Sequence, residues 1–361
     1  MESQHTGSAL GALGANFNEK LTWMDHSELQ RVNTHWIRGF IDMHQIDTLH
    51  ATQDPNIQAL FRAIDADYQT ILTFKWNYTN LSFPAISSAA FTTELERLDR
   101  ILHVVMGKVN ILVIGNEPFI EVQPGQADTR LNIFYETLAD TVINFRNTHG
   151  GSTRLYMGAL NRLDLPAKQT PAVERMLRFI ASKPELEGVD LHPHMPTLEG
   201  HKLMLEYVLS RIRPDQRFLA TEFSLVWHWK KHLADVVSGA FCARYGFPAG
   251  IRVHEIISAA MQNPWPYAQW EDFLSQESWY IQRRSFLVNA MKLYRATGRL
   301  EVATYSFCPM RFRKLPLPVG GDPWMLNGVY APSTVQLRPD GSRYENFPWA
   351  EEFRKVQKGV V

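Results

Sequence analysis

Short apolar runs alternate with amphipathic stretches along most of the chain. Residues 11–18, with Asn16 and Asn18 at their end, read as a first strand, and Trp36–Ile41, Thr70–Trp76 and Ile111–Ile114 repeat the signal. Arg154–Leu160, Gly188–His194, the run from Arg217 into Glu222, and Glu301–Phe307 continue it. Helical spacing fills the gaps. Residues 24–34 carry Leu29 and Val32 on one face behind Asp25 as N-cap, and Asp54–Tyr68 places Ile57, Leu60, Phe61 and Ile64 together. Thr92–Lys108 opens on a Thr93–Glu96 capping box, Asp128–Asn147 closes at Gly150-Gly151, and Pro171–Ser182 starts on a proline tolerated in a first turn. Gly200–Arg211, Arg284–Arg295 and Trp349–Lys358 complete the set.

Eight strand-then-helix units in strict alternation predict an α/β fold, a closed parallel (β/α)8 barrel spanning residues 1–361 as one domain. The rhythm breaks once, between Glu222 and Glu301. Helices around Ala234–Cys242 and Val253–Met261 and an aromatic segment from Asn263 to Trp270 lie in that gap. Residues 228–283 are therefore expected to form a helical insertion between strands 7 and 8, on the rim.

Two strands end alike. Ile111-Leu112-Val113-Ile114 runs into Gly115-Asn116-Glu117-Pro118, where the glycine lets the backbone turn and the proline forbids further strand. Phe218-Leu219-Ala220 runs into Thr221-Glu222. A carboxylate at the carboxyl end of a buried parallel strand stands where barrels keep their chemistry. Glutamates after the fourth and seventh strands face each other across the pocket, and two carboxyl groups in different environments are what acetal cleavage requires. Arg38 is a charge inside an apolar run, which is costly unless paired. It reads either as a strand-edge residue in a surface ion pair or as an inward residue beside a catalytic carboxylate.

Composition narrows the field. Lys+Arg and Asp+Glu both number 37, so no basic field exists to attract nucleic acid or an anionic membrane. No window has the apolar length of a membrane span. Cys242 and Cys308 cannot make a disulfide framework and lack metal spacing, which leaves them as buried thiols. Met1–Gly14 has no charged n-region or long apolar run, so the sequence as it stands reads as cytoplasmic, or as secreted if a leader has been removed. The chain is aromatic-rich, with 10 Trp, 12 Tyr and 20 Phe, and any surplus in loops would suit stacking on sugar rings.

Asn116-Glu117-Pro118 and Thr221-Glu222, at these strand positions, resemble the clan A retaining glycoside hydrolases, the "4/7" TIM barrels. The resemblance implies an O-glycosidase acting on a carbohydrate substrate without cofactor or metal, with β-linked bonds as the common target. By it, Glu117 would be the acid/base and Glu222 the nucleophile. Asn116 would bind the sugar's 2-hydroxyl, Arg38 would keep the nucleophile ionised, and His192 or His194 would touch it. The sequence departs from the pattern in two places. Where many members have a tryptophan at the end of the eighth strand, Tyr305-Ser306-Phe307 stands, so Tyr305, Phe307 or a loop tryptophan must serve. Where many have a tyrosine two residues after the sixth-strand histidine, His194 stands. Among the rim tryptophans Trp227, closest in sequence to Glu222, is the candidate sugar platform; the rest are expected to pack the insertion.

Two other classes compete. His192-Pro193-His194 could share a metal with Asp190 or Glu222, as in a metal-dependent barrel hydrolase, although Pro193 bends the pair and no third histidine fits. A carbohydrate-binding barrel without catalysis would keep ligand affinity and show no turnover.

Overall fold

The computed structural model describes residues 10–48, 51–309 and 315–359. The expectation about a leader concerns mainly residues 1–9, which lie outside them. Eight strands pair in parallel and in chain order: β1 (Ala12–Asn16), β2 (Trp36–Asp42), β3 (Gln69–Lys75), β4 (Ile111–Ile114), β5 (Arg154–Asn161), β6 (Leu186–His192), β7 (Arg217–Ala220) and β8 (Leu300–Ser306). β8 then closes on β1, with Ala12 opposite Val302 and Asn16 opposite Ser306. This is a (β/α)8 TIM barrel. Its strands are covered on both faces, which is why they read as unbroken apolar runs.

The pleat divides each strand between two cores. Trp36, Ile71, Ile111, Val113, Tyr156, Leu219 and Val302 form one cluster of their own, as expected of residues pointing into the barrel. The alternate residues join the larger layer between strands and helices. At the amino-terminal end the barrel is stoppered by charge: Arg154 reaches Glu187 at 2.6 Å and Glu301 at 2.5 Å, and Arg217 reaches Glu301 at 3.4 Å.

The surrounding helices are α1 (His26–Arg31), α2 (Pro55–Asp65), α3 (Ala89–Val105), α4 (Thr129–His149), α5 (Pro171–Ser182) and α6 (Leu198–Leu209). Their starts follow capping chemistry. Asp25, Asp54, Asp128, Thr170 and Thr197 each accept from the first turn. The capping box at Thr93 and Glu96 is a misreading. α3 begins a turn earlier, capped by Ser88, whose hydroxyl accepts from the Phe91 amide at 3.2 Å; Thr93 sits inside the helix and donates back to Ala89 O.

Between β7 and β8 lie α7 (Val226–Lys231), α8 (Gly239–Tyr245), α9 (Val253–Gln262), α10 (Tyr267–Gln276), α11 (Ser278–Ile281) and α12 (Phe286–Ala296). The helix expected from Ala234 starts later because Val236 is extended, bridged antiparallel to Arg252. Gly246, with φ +72°, ends it in the left-handed region. The tryptophans of this segment are mostly core. Trp229 donates to Asn327 at 2.8 Å and Trp270 to Asn346 at 2.9 Å, tying the helices to the chain that leads from β8 to α13 (Trp349–Gln357).

Candidate active site

The strand ends that close the barrel also deliver the polar groups. After β4, Gly115 turns at φ +96°, and a Cβ there would collide with the Gly158 carbonyl oxygen. Only glycine meets both conditions. The turn leaves Asn116 buried and Glu117 partly exposed over the pocket.

Arg38, from β2, is 0% exposed and lies inside the barrel. Its guanidinium donates to Glu222 at 2.6 Å, to Asn16 at 3.2 Å and Asn18 at 3.0 Å, to Asn116 at 2.8 Å and to Thr73 at 3.2 Å. A buried cation is tolerable only when its donors are satisfied this fully. Of the two readings of Arg38, the inward one is observed. Asn116 passes the arrangement on, donating to Glu121 at 2.8 Å, and Glu121 pairs with Lys75 at 2.9 Å.

Glu117 is held from β5 and β6. Asn161 donates to its Oε1 at 2.6 Å, and His192 Nδ1 lies 2.9 Å from the same oxygen. The other nitrogen of His192 is 3.0 Å from Thr221 Oγ1 and 3.8 Å from Glu222 Oε1. One imidazole therefore touches both glutamates. Thr221 donates to Asp190 at 2.6 Å, so a chain runs from the partly exposed Glu117 through the fully buried His192, Thr221 and Asp190. His194 approaches Glu222 Oε2 at 3.5 Å through Nε2 and is held by Ser224 at 2.8 Å through Nδ1.

Electrostatics separates these groups. Burial pushes the Glu222 carboxyl up, but the charges of His192 and Arg38 outweigh it and hold the group well below the ordinary range. Burial also pushes Glu117 up, and its hydrogen bond and charge interaction with His192 bring it below its usual value. Burial alone would lower His192; the charge of Glu222, the bond to Glu117 and the charge of Asp190 raise it instead. Both shifts favour the imidazole over Glu117 as holder of the proton they share.

Among the described residues, Glu117, His192 and His194 place ligand-type atoms within 4.8 Å of one another. The set fits a metal poorly, because both ring nitrogens of His192 already serve Glu117 and Thr221.

Tyr305 and Phe307 do not reach the pocket. Val302 belongs to the barrel-interior cluster, so the two-residue period turns Tyr305 and Phe307 outward and leaves Ser306 on the interior side. Tyr305 packs against Phe223 and Trp349, and Phe307 against Phe17 and Tyr330. The aromatic residue at that side is Trp324, half-buried in the loop after β8, its ring 5.0 Å from His194. Trp227, also half-buried, lines a groove on the rim instead.

Asn161, Thr73, Lys75, Asn18 and Glu121 were not singled out as site residues from sequence. Asn161 had a readable signal, being a polar residue at the end of an apolar strand. Glu121 had none.

The same barrel occurs among known structures. A native xylanase 10B from Thermotoga maritima superposes with a TM-score of 0.58 at 10% identity, over 98% of this chain and 96% of that one. A GH10 xylanase from Bispora sp. MEY-1, solved with xylobiose, gives 0.59 at 9% identity over 95% and 96%. A triple mutant of an endo-β-1,4-glucanase from Xanthomonas axonopodis pv. citri gives 0.53 at 12% over 96% and 99%. The fold is that of the glycoside hydrolase TIM barrels. No family profile matches the sequence, and no curated protein is similar to it in sequence. Among the described residues no helix is long and apolar enough to cross a membrane.

Proposed function

We propose that the protein is a retaining glycoside hydrolase that cleaves β-linked O-glycosidic bonds of an oligo- or polysaccharide by double displacement. The observation that carries this reading is the unequal pair of glutamates on opposite sides of His192, one locked to a buried arginine and the other coupled to a protonatable ring.

Glu222, held ionised by Arg38 and His192, attacks the anomeric carbon as the glycosidic bond breaks. Glu117 protonates the departing oxygen, drawing on the proton that its imidazole partner carries. The charge of Glu222 is the main influence that raises His192. As that charge is spent in the forming bond, the ring gives up its proton more readily, and Glu117 passes it to the departing oxygen and is left ionised. Glu117 then takes a proton from water as the glycosyl-enzyme is hydrolysed, and His192 recovers that proton once Glu222 is freed as a carboxylate. Asn116 is joined to Glu222 through Arg38 and takes the role of binding the sugar's 2-hydroxyl. The xylanase and glucanase neighbours named above support a β-linked glycan as substrate.

A panel of aryl glycosides and oligosaccharides, with product stereochemistry followed by NMR, tests the reading. Retention of configuration is expected, because two successive displacements at the anomeric carbon, the first by Glu222 and the second by water, restore the original face. Inverted product refutes double displacement. Loss of turnover on chelation would favour the metal-dependent class, to which the grouping of Glu117, His192 and His194 lends its one support.

A further inference from the structure

A groove of about 420 Å³ opens on the rim, lined by Arg162, Pro196, Trp227, Lys230 and Lys231. Arg162 directly follows Asn161, the residue bonded to Glu117, and Trp227 lies in the first turn of α7, the helix that follows Glu222. The groove is thus lined from the loops after β5, β6 and β7, with Arg162 next to the residue that holds Glu117, across the barrel from the strands of Arg38, Asn16 and Asn18.

Its chemistry is one-sided. Three of its five lining residues are cations and none is a carboxylate. Two of the cations are compensated from behind: Arg162 Nε by Asp164 at 3.0 Å, and Lys230 by Asp322 at 2.8 Å. Lys231 is exposed and has no ion-pair partner among the described residues. The indole N–H of Trp227 is buried with no hydrogen-bond acceptor, while Lys230 Nζ lies 5.1 Å from the centre of its ring. Arg162 holds a left-handed backbone at φ +51°, uncommon for a side-chain-bearing residue, and its guanidinium is held by Asp164. The groove offers donors and positive charge beside an aromatic face, on a chain whose formal net charge is +0.

We infer that this groove takes a sugar unit carrying one negative charge, on the leaving-group side of the bond that is cut. The indole offers a face to the ring, and Lys231 supplies the cation that no protein carboxylate has claimed. The inference rests on the glycosidase reading only for the direction of the cut; the affinity it asserts does not require turnover.

The test is equilibrium binding to the whole protein carrying Glu222→Gln, read by tryptophan fluorescence. The probes are β-linked oligosaccharides of equal length that are neutral, carry one hexuronate, or carry one sulfate ester. At low salt an anionic probe should bind about fivefold tighter than the neutral one, the scale of one partly exposed charge pair. Added salt should erase the difference. Adding Lys231→Gln should abolish it, and Lys231→Glu should reverse it, with unchanged affinity for the neutral probe. Lys231 is solvent-exposed, so a parallel thermal midpoint will show the fold intact. A preference for hexuronate or for sulfate identifies the source of the charge. Equal affinity for neutral and anionic probes, or a preference that survives Lys231→Glu, overturns the inference. If the wild type turns over no glycoside yet the preference holds, the proposed function falls and the groove stands.

Discussion

The two ends of the barrel carry similar charges and put them to different use. At the amino-terminal end Arg154, Glu187, Arg217 and Glu301 satisfy one another. At the carboxyl-terminal end Arg38, Glu222, His192 and Glu117 also satisfy one another, but the carboxylates remain 15% and 22% exposed to the pocket. The amino-terminal network is no less hydrated, with Arg154, Glu187 and Arg217 29%, 37% and 34% exposed, but it joins only arginines to carboxylates. The carboxyl-terminal one joins two glutamates through a single imidazole, which is raised while both glutamates are lowered, so a proton can be held beside the carboxylates and passed to one of them. The difference lies in the histidine between the carboxylates, not in how open each end is.

Mutations can break this contrast. Glu222→Ala should have the largest effect, lowering kcat by a factor on the order of 10⁴ or more, with partial rescue by azide giving the inverted product. Rescue with retained configuration would remove Glu222 as nucleophile. Glu117→Ala should cost on the order of 10²–10⁴ on substrates with poor leaving groups and far less on activated aryl glycosides. Equal losses on both would count against Glu117 as the acid.

Arg38→Gln should act on both properties. It strands the buried Glu222 charge, so a loss of about 3–5 kcal/mol in denaturant unfolding is expected together with loss of activity. At the opposite end, Glu301→Gln should cost a few kcal/mol at most, about 2–3, because Arg154 and Arg217 are partly hydrated, and the surviving folded protein should keep its kcat. A drop in kcat there without loss of stability would show that the two networks are coupled.

The smallest effect is on pH. Glu222 is held below its ordinary value, so it stays ionised as pH falls past the usual carboxylate range, and the acid limb of kcat/KM should lie below that range. His192→Gln removes a cation that lowers both glutamates, so their pKa values rise and the acid limb must move to higher pH. A limb that stays in place, or moves down, would show that His192 is not what sets it.

Sequence order alone determined the eight-fold alternation, the parallel closure and the strand ends that carry Glu117 and Glu222, and it marked Arg38 as a charge inside an apolar strand without deciding which way it turns. These follow from local periodicity and from the rule that buried charge requires a partner. It could not say which face of β8 turns inward. Tyr305 and Phe307 look as suitable as any aromatic until the register with β1 and the Val302 cluster set the pleat, and a shift of one residue exchanges every side chain between pocket and core. Nor could it show Asn161 on Glu117, Glu121 and Lys75 behind Asn116, or Trp324 over His194. Apart from Asn116–Glu121, five positions apart, those contacts join residues more than forty and up to 130 positions apart, and only the closing of the barrel decides which of many polar side chains share one pocket.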